Sequence, residues 1–169
     1  KCSQGDGVKL KVLFLHGLES KPGGTKATFL KKEGYDVLNP ALPRNDFEIS
    51  VKVAQDAIDT ENPDLVVGSS RGGAVAMSVS TRGAPLILIA PAWQRYMSVR
   101  QLGEFKVRLD SQKTIILHSD NDDVVLPEDS NQLESMYGIK KISVGENHRM
   151  SDDEALEALL DSAKWLLKS

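Results

Sequence analysis

A single cysteine, Cys2, leaves this chain unable to close an internal disulfide or build a thiolate metal centre, and a reducing, cytoplasmic setting is the expectation. A leader removed ahead of Lys1 is the alternative, since the sequence does not open on methionine. No apolar run approaches the roughly 18 residues that a membrane-spanning helix needs, and no signal-type segment stands at the start. Positive charge is not in excess. The formal net charge is -3, which gives no general basic field for nucleic acid or an anionic membrane. Only three histidines occur and none has H-x-x-x-H spacing, so no metal is expected. Pro22-Gly23-Gly24-Thr25-Lys26 lacks the G-x-x-x-x-G-K-[ST] order of a phosphate loop, and Asp120 to Asp123 lacks the glycine and glutamate of a calcium loop. Repeats and low-complexity tracts are also missing.

What is present is a globular composition, 40% hydrophobic over 169 residues, enough for one domain spanning 1–169. Short apolar runs alternate with helical patterns. Strands are expected at Val12 to Leu15, Tyr35 to Leu38, Leu65 to Val67, Leu86 to Ile89, Thr114 to Leu117 and Ile139 to Val144. Helices are expected over Thr25 to Lys32, from an Asn45/Glu48 capping box to about Thr60, from the turn at residue 70 to about Arg82, from Pro127 to Gly138, and after a Ser151/Glu154 capping box. Segment 92–110 has poorer periodicity and reads as a short lid or crossover, with Trp93 a candidate substrate contact. Strands that are apolar throughout, interleaved with helices, imply an α/β fold: three layers, with a mostly parallel sheet of about six strands covered on both faces.

The sharpest local signal is Gly68-Ser69-Ser70-Arg71-Gly72, between a buried strand and a helix of small residues. Its glycines permit a tight turn that holds Ser70 strained and exposed as a nucleophile. A serine hydroxyl needs a base, and the base needs an acceptor that fixes its tautomer. The candidate bases are His16, His118 and His148; the candidate acids cluster at Asp120, Asp122 and Asp123. His16, Ser70, Asp122 and His148 each follow a different expected strand, so a parallel sheet gathers them at one edge, where such folds bind ligands. His16 and His118 read more simply as structural.

With the strand leading into Leu15-His16-Gly17-Leu18-Glu19-Ser20-Lys21-Pro22, the elbow through Gly73 and the segment His118-Ser119-Asp120-Asn121-Asp122-Asp123-Val124-Val125, nearly the whole chain resembles small, lidless α/β-hydrolases and is similar to the bacterial esterases of the YqiA type. That resemblance implies a triad of Ser70, Asp122 and His148, with the backbone amides of Leu18 and Arg71 as the oxyanion hole. It implies a serine esterase or thioesterase acting on a small-molecule acyl ester or thioester, without a cofactor. The chain is short for the full fold and should lack its early antiparallel strands. Arg71, charged where the family often has a neutral residue, is a candidate substrate-binding side chain that needs a partner: Glu19, Asp46, Glu104 or an anionic substrate. A non-catalytic binding protein on the same fold is the competing expectation.

Overall fold

A computed structural model describes residues 7–18, 20–97 and 109–168. Six strands, β1 (Lys11–Leu15), β2 (Asp36–Leu38), β3 (Leu65–Ser69), β4 (Leu86–Ile89), β5 (Thr114–His118) and β6 (Lys140–Ser143), form one sheet in the order β2-β1-β3-β4-β5-β6. Every neighbouring pair is parallel. Among the described residues the sheet is therefore wholly parallel and has no antiparallel strands. The helices are α1 (Thr25–Lys32), α2 (Phe47–Glu61), α3 (Arg71–Met77), α4 (Trp93–Tyr96), α5 (Pro127–Tyr137) and α6 (Asp153–Leu167).

The inner strands are apolar throughout because each face of the sheet has its own core. Leu13, Leu15, Val66, Leu88 and Ile116 pack with Ala54 and Ile58 of α2, Ala74 to Met77 of α3 and Leu133 of α5. Their strand neighbours Val12, Phe14, Val67, Ile87 and Leu117 pack with Leu30 of α1 and Leu159, Ala163 and Leu166 of α6. Handedness explains which helix goes where. The chain steps outward from β1 to β2 and then back across β1 to β3, so right-handed crossovers put α1 and α2 on opposite faces. The reversal leaves a crevice beyond the carboxyl ends of β1 and β3, the topological switch point.

Several boundaries differ from the sequence expectation. Asp46, not Asn45, caps α2 by accepting the Ile49 N–H at 3.0 Å, and Asp152, not Ser151, caps α6 by accepting the Ala155 N–H at 3.2 Å. In both cases a carboxylate also complements the helix dipole, which a neutral side chain does not. Helix α3 stops at Met77 rather than near Arg82. Ser78 turns its hydroxyl back to the Ala74 carbonyl, and Ser80 N–H goes instead to Gln55 of α2. Of segment 92–110, α4 opens the described part, and 98–108 lie outside the described residues. No helix among the described residues is long and apolar enough to cross a membrane.

The β3–α3 connection tolerates only glycine at two points. A Cβ on Gly68 would come within 2.5 Å of the Gly72 carbonyl oxygen and 2.8 Å of Ala76 Cβ. A Cβ on Gly72 would overlap the Leu15 carbonyl oxygen and lie 2.6 Å from that of His16. These obstacles are mostly backbone and cannot rotate away. Gly72→Ala is therefore expected to destabilise the fold by ~3 kcal/mol or more, measured by urea unfolding. A loss below about 1 kcal/mol would mean that α3 does not lie so close against β1.

Candidate active site

Ser70 stands between the end of β3 and the start of α3 with φ 57° and ψ -117°, a conformation unfavourable for any residue with a side chain. It persists because the turn is held from several directions. Its N–H donates to the Ile89 carbonyl at 2.8 Å, and its carbonyl accepts from Gly73, Ala74 and Ala92 at 2.9, 3.3 and 3.0 Å. The end of β4 thus clamps the turn that ends β3.

Ser70 Oγ lies 3.0 Å from His148 Nε2, and His148 Nδ1 lies 2.7 Å from Asp122 Oδ2. Asp122 is buried at 4% exposure, and its other oxygen accepts the N–H groups of Val124 and Val125, each at 2.9 Å. A carboxylate so fixed makes His148 Nδ1 the protonated nitrogen, which leaves Nε2 to accept the serine hydroxyl. Two contacts tie the acid loop to the histidine loop: Ser119 Oγ donates to the Gly145 carbonyl at 2.9 Å, and Val144 N–H to the His118 carbonyl at 3.1 Å. The structure thus brings together the three side chains expected from the sequence. Asp120 and Asp123 are exposed, and among the described contacts neither carboxylate reaches His148.

The other two histidines have specific supporting positions. His16 Nε2 accepts the Leu42 N–H at 3.0 Å, so Nδ1 carries the proton, facing the Gly17 carbonyl at 2.9 Å. Ser20 N–H reaches that same carbonyl at 3.2 Å. In a trans peptide this turns the Leu18 N–H to the opposite side. Gly17 itself packs on the serine, since a Cβ there would be 3.9 Å from Ser70 Oγ.

His118 is fully buried, with Nε2 at 3.1 Å from Asp122 Oδ2 and 2.9 Å from the Val125 carbonyl, and Nδ1 at 2.6 Å from Ser130 Oγ. Two acceptors at Nε2 require a donor there, so Ser130 donates to Nδ1, and Asp122 Oδ2 receives N–H bonds from two imidazoles. Composition and motif spacing gave no sign of this second one. His118→Leu would leave Ser130 Oγ and the Val125 carbonyl without their partner in the interior. Orphaned buried groups cost ~1–3 kcal/mol each, so a loss of about 2–4 kcal/mol and a Tm lower by roughly 5–10 °C are expected in thermal unfolding. A change under about 1 kcal/mol would show that these bonds are dispensable.

Two expected substrate contacts are corrected by burial. Arg71 is 2% exposed: its Nη2 donates to the Pro43 carbonyl at 2.7 Å, and its guanidinium lies 5.7 and 5.5 Å from the Phe47 and Tyr96 ring centroids. Among the described residues its charge is met by a carbonyl and two π faces, and no acid stands within ion-pair distance. Asp46 is occupied as the cap of α2, while Glu19 and Glu104 lie outside the described residues. Trp93 is 1% exposed and donates its indole N–H to the Asp129 carbonyl at 2.9 Å, so it is part of the core. Only the backbone of Arg71 faces the elbow. As the first residue of α3 it carries an N–H with no acceptor four residues earlier in the helix.

A cleft of about 930 Å³ opens over Ser70 and His148. Leu18 and Val124 line it, and so do four cations that the sequence reading did not place in the site: Lys21, Lys26, Arg95 and Arg149. Lys26 is half-buried and donates to the Arg149 carbonyl at 2.6 Å. Burial, and then the Arg149 charge, push its ammonium down to about 8. The available signal was positional, because Lys21, Lys26 and Arg149 all follow strand ends on the site's edge of the sheet.

Solved structures share this architecture. A lidless α/β serine hydrolase of Xanthomonas campestris superposes with a TM-score of 0.72 at 15% identity, over 95% of this chain and 83% of that one. A monoacylglycerol lipase of Paleococcus ferrophilus gives 0.67 at 15% identity, over 94% of both chains. The ydeN gene product of B. subtilis gives 0.70 at 16% identity, over 95% of this chain and all of that one. The chain has the α/β-hydrolase fold. No protein-family model and no curated protein sequence matches it.

Proposed function

We propose that the protein is a serine hydrolase that cleaves a small acyl ester or thioester through a covalent acyl-enzyme. The observation that carries this reading is the continuous relay from Ser70 Oγ through His148, at 3.0 Å, to the buried Asp122, at 2.7 Å. His148 Nε2 takes the hydroxyl proton as Ser70 Oγ attacks the acyl carbon, and Asp122 stabilises the resulting imidazolium without itself being protonated. The Leu18 and Arg71 amides receive the oxyanion. Collapse of the tetrahedral intermediate expels the alcohol or thiol, which takes its proton from His148. Water, deprotonated by the same nitrogen, then attacks the acyl-serine; the acyl C–Oγ bond breaks, the carboxylic acid leaves, and His148 returns the proton to Ser70 Oγ. The chain's own side chains supply every acid and base in this cycle, so it calls for no cofactor.

The test is labelling with a fluorophosphonate, which reports an activated serine independently of substrate choice. The parent is expected to become labelled at Ser70, and Ser70→Ala to stay unlabelled. A folded parent that resists the probe would favour a binding protein built on this fold.

A further inference from the structure

We infer that the cleft selects substrates whose leaving group carries an anion, a carboxylate or a phosphate, held by Lys26 and Arg149; this rests on the hydrolase reading above. The whole chain is acidic, with a net charge of -3, yet among the described residues four cations line the cleft against two acids, Asp123 and Asp129. Three of the four cations share one face, while Arg95 of α4 lies with the acids on the other. Lys21 and Lys26 come from the β1–α1 connection and α1, and Arg149 from the β6–α6 connection, on the α1/α6 face of the sheet. Asp123 precedes α5 and Asp129 lies in it, on the opposite face.

Lys26 is the informative residue. Its ammonium is half-buried, bonded to a neutral carbonyl and close enough to the Arg149 side chain to be repelled by it. Neither cation has a carboxylate within ion-pair distance among the described residues. Lys26 is partly desolvated and is repelled by the exposed Arg149 beside it; with no counter-ion among the described residues, this is an unfavourable arrangement that a bound anion would relieve. Position then assigns the anion to one side of the substrate. Arg149 directly follows His148, and Lys26 is bonded to the Arg149 backbone. In acyl transfer the leaving group departs beside the imidazole that protonates it. The cation pair therefore faces the alcohol or thiol portion, away from the acyl chain.

The experiment uses two pairs of esters. 4-Butyryloxybenzoate and 4-butyryloxybenzamide place or remove a carboxylate on the leaving group; p-nitrophenyl hemisuccinate and p-nitrophenyl butyrate do so on the acyl side. An acyl ester of 4-hydroxyphenyl phosphate separates phosphate from carboxylate preference. For each pair the anionic-to-neutral ratio of kcat/KM is compared between the parent, Arg149→Gln, which keeps the carbonyl that Lys26 uses, and Lys26→Met. Intrinsic ester reactivity cancels in that comparison. Each substitution is expected to lower the leaving-group ratio about tenfold and to leave the acyl-side ratio within about twofold. Raising salt should narrow the parent's own ratio. An unchanged leaving-group ratio overturns the inference, and so does a loss confined to the hemisuccinate pair. If no ester is turned over and the fluorophosphonate does not label, the hydrolase reading fails separately. Calorimetry with 4-hydroxybenzoate and 4-hydroxybenzamide then decides: tighter binding of the acid, lost in Arg149→Gln, upholds the anion site, and equal binding overturns it.

Discussion

Ser70→Ala and His148→Ala are each expected to lower kcat by about a thousandfold or more, and the double variant to fall little further. The reason lies in the 3.0 Å bond between Ser70 Oγ and His148 Nε2. Once the base is gone the hydroxyl is no stronger a nucleophile than any other serine, and once the hydroxyl is gone the base has no proton to take. Steady-state hydrolysis of p-nitrophenyl esters measures this, and multiplying losses would show that the two side chains act independently. Stability should move differently from activity. Ser70→Ala keeps φ at 57° and its strain, so unfolding should barely change, whereas Ser70→Gly removes the Cβ penalty and is expected to gain about 1–2 kcal/mol. A stabilised but inactive glycine variant would show directly that the elbow stores backbone strain.

Asp122→Asn is expected to cost about four orders of magnitude in kcat, with Asp120→Asn and Asp123→Asn costing less than about tenfold. The amide oxygen can keep the Val124 and Val125 N–H bonds, which fixes the NH2 where Oδ2 now sits. That NH2 faces His148 Nδ1 and would drive the imidazole to its other tautomer, with the proton on Nε2, where it can no longer accept from Ser70. It also faces the His118 N–H, donor against donor, so a stability loss of about 1–3 kcal/mol should accompany the kinetic one. Nitrogen-detected NMR of the two imidazoles reads the tautomer change. If Asp120→Asn proves the damaging substitution instead, the acid has been misassigned by two residues.

The parts of the molecule that sequence made legible are those decided by short-range pattern. Thr25–Lys32 and Leu86–Ile89 match their expected bounds because hydrophobic period and flanking Gly or Pro act within a few residues. The helix starts at Asn45-Asp46 and Ser151-Asp152 were ambiguous because both members of each pair can cap, and the choice depends on how the preceding chain enters. The early end of α3 was hidden for a different reason: what stops it is a hydrogen bond from Ser80 to Gln55 of α2, distant in sequence. In the site, strand ends gathered His16, Ser70, Asp122 and His148 at one edge, and the family resemblance picked the triad from among the candidates. The direction taken by Arg71 followed from neither, since an arginine after the elbow can point to the cleft or to the helix layer. The Phe47 and Tyr96 rings that draw it inward belong to two other elements. His118 was silent for the same reason: its bond to Asp122 spans one loop whose shape depends on burial against Ser130 and Val125.

The wholly parallel sheet has a temporal consequence. Parallel neighbours cannot be joined by a tight hairpin, so each pairing waits for a crossover to close, and contacts between distant positions form slowly. Ser70 and His148 are 78 positions apart, and the histidine loop leaves β6, one of the two edge strands, only four residues long with no fully buried residue. The nucleophile's turn can form with the central strands, while its base arrives only when this weakly held margin docks. During mild denaturation that margin is expected to fray before the central strands. In a Trp165→Phe background, ester turnover should then fall at lower urea than the fluorescence of Trp93, which is anchored in the core, and the molecule would go silent while most of it is still folded.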